Sequence, residues 1–183
     1  MLFGLIGCAP AQAVPVTITD SPAAFSADGP AGWSRQPAGG GDSRLKFVSP
    51  KGAPYAECIV IVQAAPSLRG HSQSVLSAAM REPPDATAAA QRLGRSYRNV
   101  RIVSVGNGAL SGVPTQIHNV TYSDGTPGKT EWTRLASASA ATPGIVWTVA
   151  CGAQGRTLAE AEKAFDHWQV EIAKFQARVK ILR

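Results

Sequence analysis

The sequence predicts a single α+β domain in which an antiparallel sheet packs against helices. Three observations predict it: apolar, β-branched runs separated by turn residues, a helical stretch broken at Pro83-Pro84, and a long amphipathic segment near the C-terminus. The 183 residues, 44% hydrophobic and 16% charged, suit one domain with a buried core. No apolar run approaches the roughly 20 residues that a membrane-spanning helix needs, which excludes a polytopic membrane protein.

The first residues have the composition of a bacterial export leader, because MLFGLIGCAPAQA starts apolar and ends small. Two processing signals overlap there. Leu5-Ile6-Gly7-Cys8 resembles a lipobox, in which Cys8 is diacylated and becomes the mature N-terminus, whereas Ala11-Gln12-Ala13 fits a cleavage site before Val14. We favour the lipobox because it also accounts for the odd number of cysteines. Neither signal has a Lys or Arg before its apolar stretch.

The chain is expected to divide into a leader at 1–13, a tether at 14–24 and one domain at 25–183. The expected elements are a hairpin around Trp33, strands at 44–49 and 57–64, helices at 71–80 and 85–97, and strands at 100–110, 115–122, 130–139 and 144–151. The run Cys58-Ile59-Val60-Ile61-Val62 predicts a central strand buried on both faces. Gly/Pro turns between the last four strands predict an antiparallel meander.

The C-terminal segment carries one apolar stripe at steps of three and four residues, which predicts a long helix with Thr157 as its N-cap. The stripe consists of Leu158, Ala161, Phe165, Trp168, Ile172, Phe175, Val179 and Leu182. Either a coiled coil or packing across the sheet would bury this stripe. Packing across the sheet is favoured, because Trp168 and two phenylalanines are bulky for a coiled-coil seam.

The cysteines predict a disulfide. Cys58 and Cys151 each lie in an apolar, β-branched run that reads as a buried strand, and in an oxidising compartment we expect them to pair, with their strands side by side. Two cysteines without a histidine at ligand spacing do not make a structural zinc site. The sequence therefore predicts no metal and no cofactor.

The charge is concentrated in one segment. Lys and Arg number 18 against 12 Asp and Glu, a net charge of +6. Five arginines lie within 81–101, namely Arg81, Arg92, Arg95, Arg98 and Arg101. They read either as a solvated helix face followed by a strand edge, or as a binding patch of Arg92, Arg95, Arg98 and Arg101 for a protein or an anionic lipid or glycan. Nucleic acid is not expected, because only Tyr97 interleaves the run.

Two short motifs resemble catalytic signatures. Gly128-Lys129-Thr130 matches the end of a phosphate-binding loop, but position 123 is Ser instead of the first glycine and a strand pattern follows, so a hairpin turn is predicted. Gly70-His71-Ser72-Gln73-Ser74 resembles a nucleophile elbow with Ser74 in place of the second glycine.

The degenerate GHSQS elbow supports an alternative function, a small secreted serine esterase. Such an enzyme would use Asp124 or Asp166 to orient His118 or His167 as the base. The interpretation favoured here is that Ser72 or Ser74 caps a helix.

A set of ordered motifs resembles the PsbP-like superfamily, which includes bacterial exported lipoproteins of the DcrB type. The matching residues are Phe25 and Pro30-Ala31-Gly32-Trp33, the apolar strand at 59–62, Leu110-Ser111-Gly112-Val113-Pro114, Tyr122, Trp147 and the C-terminal helix. The resemblance spans about 25–180. It implies an α/β/α sandwich with a central, mostly antiparallel sheet, which acts by binding as an accessory, adsorption or assembly factor and has no shared catalytic residues.

The expected protein is therefore an exported, disulfide-linked, lipid-anchored monomer of the bacterial periplasm or outer membrane, or a secreted one. It is not expected to be an enzyme, and its partner is a protein or an anionic lipid or glycan of the cell envelope.

Overall fold

The computed structural model describes residues 15–19, 23–124 and 131–182, and these contain ten strands, three α-helices and a short 3₁₀ helix at Pro66–Leu68. The strands are β1 (Pro15–Ile18), β2 (Phe25–Asp28), β3 (Ser34–Gln36), β4 (Ser43–Val48), β5 (Ala56–Ala64), β6 (Arg98–Leu110), β7 (Val113–Ser123), β8 (Trp132–Thr142), β9 (Ile145–Gly155) and β10 (Lys180–Ile181). The helices are α1 (Gln73–Arg81), α2 (Ala86–Leu93) and α3 (Leu158–Arg178). The leader with Cys8, and Gly128-Lys129-Thr130, lie outside the described residues.

Seven strands form one antiparallel sheet in the order β3-β4-β5-β9-β8-β7-β6. The predicted meander is confirmed, since β6, β7, β8 and β9 are consecutive neighbours. β7 and β8 pair antiparallel across the segment that resembles a phosphate-binding loop, as a hairpin connection requires. The last meander strand then pairs with β5, which precedes it by about 90 residues in the chain, and this pairing joins the meander to β3, β4 and β5.

The disulfide joins the two strands at the middle of this sheet. Cys58 on β5 lies directly opposite Cys151 on β9, both side chains are fully buried, and their sulfurs are bonded. The residues are 93 positions apart. In the chain-entropy model a loop of this length is worth about 4–5 kcal/mol, which is a large part of the stability of a single domain.

Helix α3 covers one face of the sheet. Its N-cap is Thr157, whose hydroxyl accepts the amide N–H of Glu160. The side chains of Phe165, Ile172 and Phe175 are buried, and the helix contacts chiefly β8 and β9. Gly155 ends β9 against the first turn of the helix, where a Cβ would come within 2.5 Å of a backbone nitrogen. Among the described residues, none of the helices combines the length and the apolar character that crossing a bilayer demands.

The predicted apolar stripe extends past the end of α3. The helix stops at Arg178, Val179 is extended, and Ile181 pairs with Phe25 in β2. The prediction that Leu182 belongs to the helix is wrong, since the chain turns into β10 and leaves this side chain partly exposed. Val179 and Ile181 are both buried at the two-residue spacing of extended chain, and of these two only Val179 also stands at helical spacing from Phe175.

A second, three-stranded sheet in the order β1-β2-β10 lies beside α3. Its first strand, Pro15–Ile18, falls within the segment expected to be a tether. The structure instead pairs it with β2 and buries Val16 in the core. Alternation of Val16 and Ile18 with polar residues is a strand signal, which the Pro- and Ala-rich surroundings mask.

Helices α1 and α2 lie on the other face and complete an α/β/α sandwich. Ser72 caps α1 by accepting the N–H of Val75, and Asp85 caps α2 by accepting from Thr87 and Ala88. Helix α2 ends at Leu93, shorter than the predicted 85–97. The two helices contact mainly β6, β7 and β8. This second helical layer therefore covers only half of the sheet.

Candidate functional site

A groove opens on the half of the sheet that α1 and α2 leave uncovered. It has a volume of about 320 Å³. Strands β5, β8 and β9 supply its floor, and the end of α2 with the turn after it supplies one wall. We call it the sheet groove, and its lining residues are Glu57, Ile59, Ile61, Leu93, Tyr97, Tyr122, Thr133, Leu135, Ser137, Thr148, Ala150, Gly152 and Gln154.

The alternation of β5 explains why the floor is apolar. Val60 and Cys58 point to α3 and are fully buried, so Ile59 and Ile61 point to the opposite face, where they are only half-buried. The sequence prediction that this strand is buried on both faces is therefore wrong for one face. Packing against α3 does not require these isoleucines, because they lie on the other face of the sheet. Helices α1 and α2 are on that face but contact mainly β6, β7 and β8.

Two stacked tyrosines stand at one side of the sheet groove. The ring centroids of Tyr97, which follows α2, and Tyr122, on β7, are 4.1 Å apart with the planes tilted by 36°. Burial, and next the neighbouring Tyr97, raise the pKa of Tyr122 to about 12. Tyr122 therefore stays neutral at physiological pH, and both residues offer the groove aromatic faces and hydroxyl groups.

At one end of the sheet groove, the charged side chains already pair with one another. Lys46 forms a salt bridge of 2.6 Å with Glu57, and the hydroxyl of Tyr55 donates to the same carboxylate at 2.7 Å. Burial, followed by the interaction with Glu57, raises the pKa of Tyr55. The carboxylate of Glu57 is therefore already matched by a cation and a hydroxyl donor.

A smaller cavity of about 190 Å³ lies under α2, lined by Ala89, Arg92, Leu93, His118, Val120, Leu135, Ser137 and Ser139. Leu93, Leu135 and Ser137 line the sheet groove as well, so the two spaces adjoin. Burial, and after it the positive charge of Arg92, lower the pKa of His118. This histidine is therefore held neutral beside an arginine.

The structure brings the predicted arginine patch together only in part. Arg92 lies on α2 and Arg95 just after it, whereas Arg98 and Arg101 lie on the edge strand β6. The latter two are opposite Ser123 and Thr121, which belong to the α3 face of the sheet. All four are exposed, and within the described residues none of them makes a salt bridge.

The residues of the esterase alternative are dispersed. Ser72 caps α1, and its hydroxyl lies 2.8 Å from that of Ser74. His167 is exposed on α3, across the sheet, with its ring 4.6 Å from that of Trp168. His118 lies in the cavity under α2. The GHSQS segment therefore acts as a helix cap, which is the interpretation that the sequence favours.

Sequence reasoning did not identify the sheet groove. Tyr97, Tyr122 and Leu135 come from three elements, and no motif links them. The one local signal for the groove is that Ile59 and Ile61 are large apolar residues at positions where a solvent-facing strand would have polar ones. The continuous apolar run around them makes this signal look like burial on both faces.

Comparisons with known proteins bear on the fold. No protein-family model and no curated protein matches the sequence. Among solved structures, cyanobacterial PsbP (CyanoP) from Synechocystis sp. PCC 6803 is similar at 10% identity with a TM-score of 0.53, over 100% of this chain and 98% of that one. LpqN of Mycobacterium tuberculosis, described as involved in cell envelope biogenesis, is 11% identical with a TM-score of 0.48, over 91% and 90%. The protein has the PsbP-like fold, as the sequence resemblance predicts.

The environment of His118 predicts a dependence of its titration on Arg92. In an NMR titration of the imidazole, the pKa lies below the usual 6.5, and Arg92→Met raises it, because one of the two causes is removed while burial stays. Since the folded state disfavours the protonated form, the unfolded chain takes up the proton first. The free energy of unfolding should therefore fall as pH drops from about 6.5 to the folded pKa. Arg101→Met is the matched control, and an unchanged pKa in Arg92→Met would contradict the prediction.

Proposed function

We propose that this protein is an exported, non-catalytic binding protein of the bacterial cell envelope and that the sheet groove holds its ligand. The observation that carries the proposal is the apolar floor of Ile59 and Ile61 on the half of this sheet face that, among the described residues, α1 and α2 leave uncovered. Ligand sites in proteins are concave, largely apolar spaces of about 300–1,000 Å³ with a few polar groups. The sheet groove, at about 320 Å³, meets this description.

If this face of the sheet met only water, its outward positions would be expected to hold polar side chains. Antiparallel sheets that are solvated on one side alternate apolar and polar residues. Here the outward positions of β5 include two isoleucines beside the buried Ala150 of β9. Removing a large aliphatic side chain from water is worth about 1.5–3 kcal/mol, and a ligand with apolar groups would recover part of that.

A binding role without catalysis is supported by the arrangement of the reactive side chains. Ser72 is engaged at the start of α1, and His167 is on the far side of the sheet. The groove itself is lined by aliphatic, aromatic and hydroxyl side chains, one amide, and one carboxylate that is already paired. Such a lining is suited to holding a ligand in place.

The test of the sheet groove uses a neutral apolar fluorophore, N-phenyl-1-naphthylamine. We expect Ile59→Gln/Ile61→Gln to weaken its binding at least fivefold, because the floor becomes polar while side-chain length is retained. The matched control, Val103→Gln/Val170→Gln, changes two exposed β-branched residues away from the groove and should bind like the parent. Thermal midpoints establish that all three proteins fold. Equal binding by the parent and the groove variant would overturn the assignment.

Export and anchoring are proposed from the leader, with Cys8 as the lipidated residue. The test is the intact mass of the protein purified from its native host. A diacylated chain that begins at Cys8 is expected, lighter by the two thiol hydrogens lost in the Cys58–Cys151 disulfide. A mature chain beginning at Val14 would replace the lipid anchor by simple secretion, and an unprocessed chain would remove export from the proposal.

We further propose that Arg95, Arg98 and Arg101 contact an anionic surface of the envelope. All three are exposed, Arg98 and Arg101 on the edge strand β6 and Arg95 in the turn that precedes it, and in the described part of the chain none of them forms a salt bridge. Each basic residue near an anionic membrane contributes about 1 kcal/mol, so several must act together.

Replacing Arg95, Arg98 and Arg101 by Ser should weaken binding to phosphatidylglycerol vesicles at least tenfold at low salt. The effect should fade as ionic strength rises past about 0.15 M. The control replaces Arg35, Lys51 and Lys163 by Ser, which removes the same charge from exposed positions elsewhere. Identical binding by the two triple variants would show that net charge, and not this edge, governs the contact.

A further inference from the structure

The sheet groove and the cavity under α2 adjoin at Leu93, Leu135 and Ser137. We call the two adjoining spaces the depression; one has an apolar floor on β5, and the other is bordered by Arg92. The two ends of the depression differ in chemistry. At one end Glu57 is paired with Lys46, and at the other Arg92 stands beside a histidine held neutral.

We propose that this depression binds a single-chain amphipath with a carboxylate head, a long-chain fatty acid. The carboxylate is held by Arg92 and the hydrocarbon chain lies along Ile59 and Ile61. The inference rests on the proposed ligand role of the sheet groove and specifies the chemical class of that ligand.

The anionic head follows from the charges that line the cavity. Arg92 is the only charged residue among those lining it, and within the described residues it makes no salt bridge. The remaining polar neighbours are His118, Ser137 and Ser139, which carry no negative charge. A guanidinium binds a carboxylate through two parallel N–H···O bonds, so a head of this kind satisfies Arg92 as a single planar partner.

The single negative charge of the head follows from the number of cations. Arg98 and Arg101 are on the edge strand and belong by register to the opposite face of the sheet, so they do not converge with Arg92. A phosphate monoester carries close to two charges and is usually held by several cationic or backbone donors. One arginine beside a neutral histidine matches a monoanion better.

The orientation of the ligand, with its head at Arg92 and its chain toward β5, follows from the position of Glu57. Its carboxylate at the far end of the sheet groove disfavours a second negative charge there, and its partner Lys46 is already occupied. Leu93 and Leu135 line both spaces, and by register Leu135 on β8 lies between Val120 on β7 and Glu57 on β5, with β9 in between. An acyl chain that starts at Arg92 therefore passes over apolar surface before it reaches polar groups.

The experiment compares the fluorescent fatty acid cis-parinaric acid with its methyl ester, which has the same chain and no charge. We expect the acid to bind the parent protein at least tenfold more tightly. Arg92→Met should abolish this preference and leave binding of the ester unchanged, since methionine keeps much of the length and loses the charge. Arg101→Met should retain the preference. Arg92 is exposed, so its variant is expected to fold, and the thermal midpoint verifies this.

A second readout reports the position of the head. A carboxylate bound beside His118 favours its protonated form, so the acid should raise the pKa of this histidine and the ester should not. A preference for the acid that survives in Arg92→Met, or an unchanged His118 titration with the acid bound, would overturn the assignment of the head. Displacement of the acid by dodecyl phosphate more readily than by laurate would overturn the choice of carboxylate.

The failure of this inference differs from the failure of the proposed function. If acid and ester bind the parent equally and Ile59→Gln/Ile61→Gln weakens both, the sheet groove is a ligand site and the carboxylate assignment is wrong. If neither probe binds the parent, or if the isoleucine variant binds both like the parent, the ligand role of the groove fails as well.

Discussion

The pairing of β5 with β9 determines both faces of the molecule. Cys58 opposite Cys151 fixes the register of these strands, which lie about 90 residues apart in sequence. Because side chains alternate along a strand, this register sends Val60 and its neighbours into the core under α3 and leaves Ile59 and Ile61 on the other face. A slip of one residue would exchange the two sets and expose the core. The covalent bond therefore stabilises the fold and the sheet groove through the same constraint.

The unequal lengths of the helices decide where the site lies. Helix α3 has 21 residues and, at 1.5 Å per residue, extends about 30 Å, enough to cross one face of the sheet. On the other face α1 has nine residues and α2 has eight, separated by Pro83-Pro84, because proline cannot continue a helix. The caps at Ser72 and Asp85 fix where each short helix starts. Together α1 and α2 cover β6, β7 and β8. Among the described residues, they leave the same face of β5 and β9 uncovered.

Local pattern predicted much of this fold, and the exceptions have a common physical cause. The meander, the cap at Thr157 and the partners of the disulfide follow from turn residues, helical periodicity and strand context, which are local properties. The sheet groove does not, because whether Ile61 is covered depends on helices 12 or more residues away and on their lengths. The predicted end of α3 is wrong for a related reason. Val179 is an apolar core residue, and an apolar residue at this position fits both a longer helix and a turn into the strand that pairs with β2. The arginines of 81–101 are close in sequence, but the turn after α2 and the register of β6 divide them between two faces.

Under the two binding proposals, that division separates two kinds of recognition in one small domain. Arg92 borders an apolar space, where in our proposal it pairs at short range with one bound group. Arg98 and Arg101 stand in solvent at the sheet edge, where charges are screened over about 10 Å and act on a surface rather than on a single atom. The first arrangement favours a small ligand and the second favours an extended anionic partner. Because both start from the short α2 and the strand that follows it, occupation of the groove against α2 and contact at β6 involve adjoining parts of the chain. A ligand that holds the end of α2 in place would therefore also restrict the segment that carries Arg95 and Arg98.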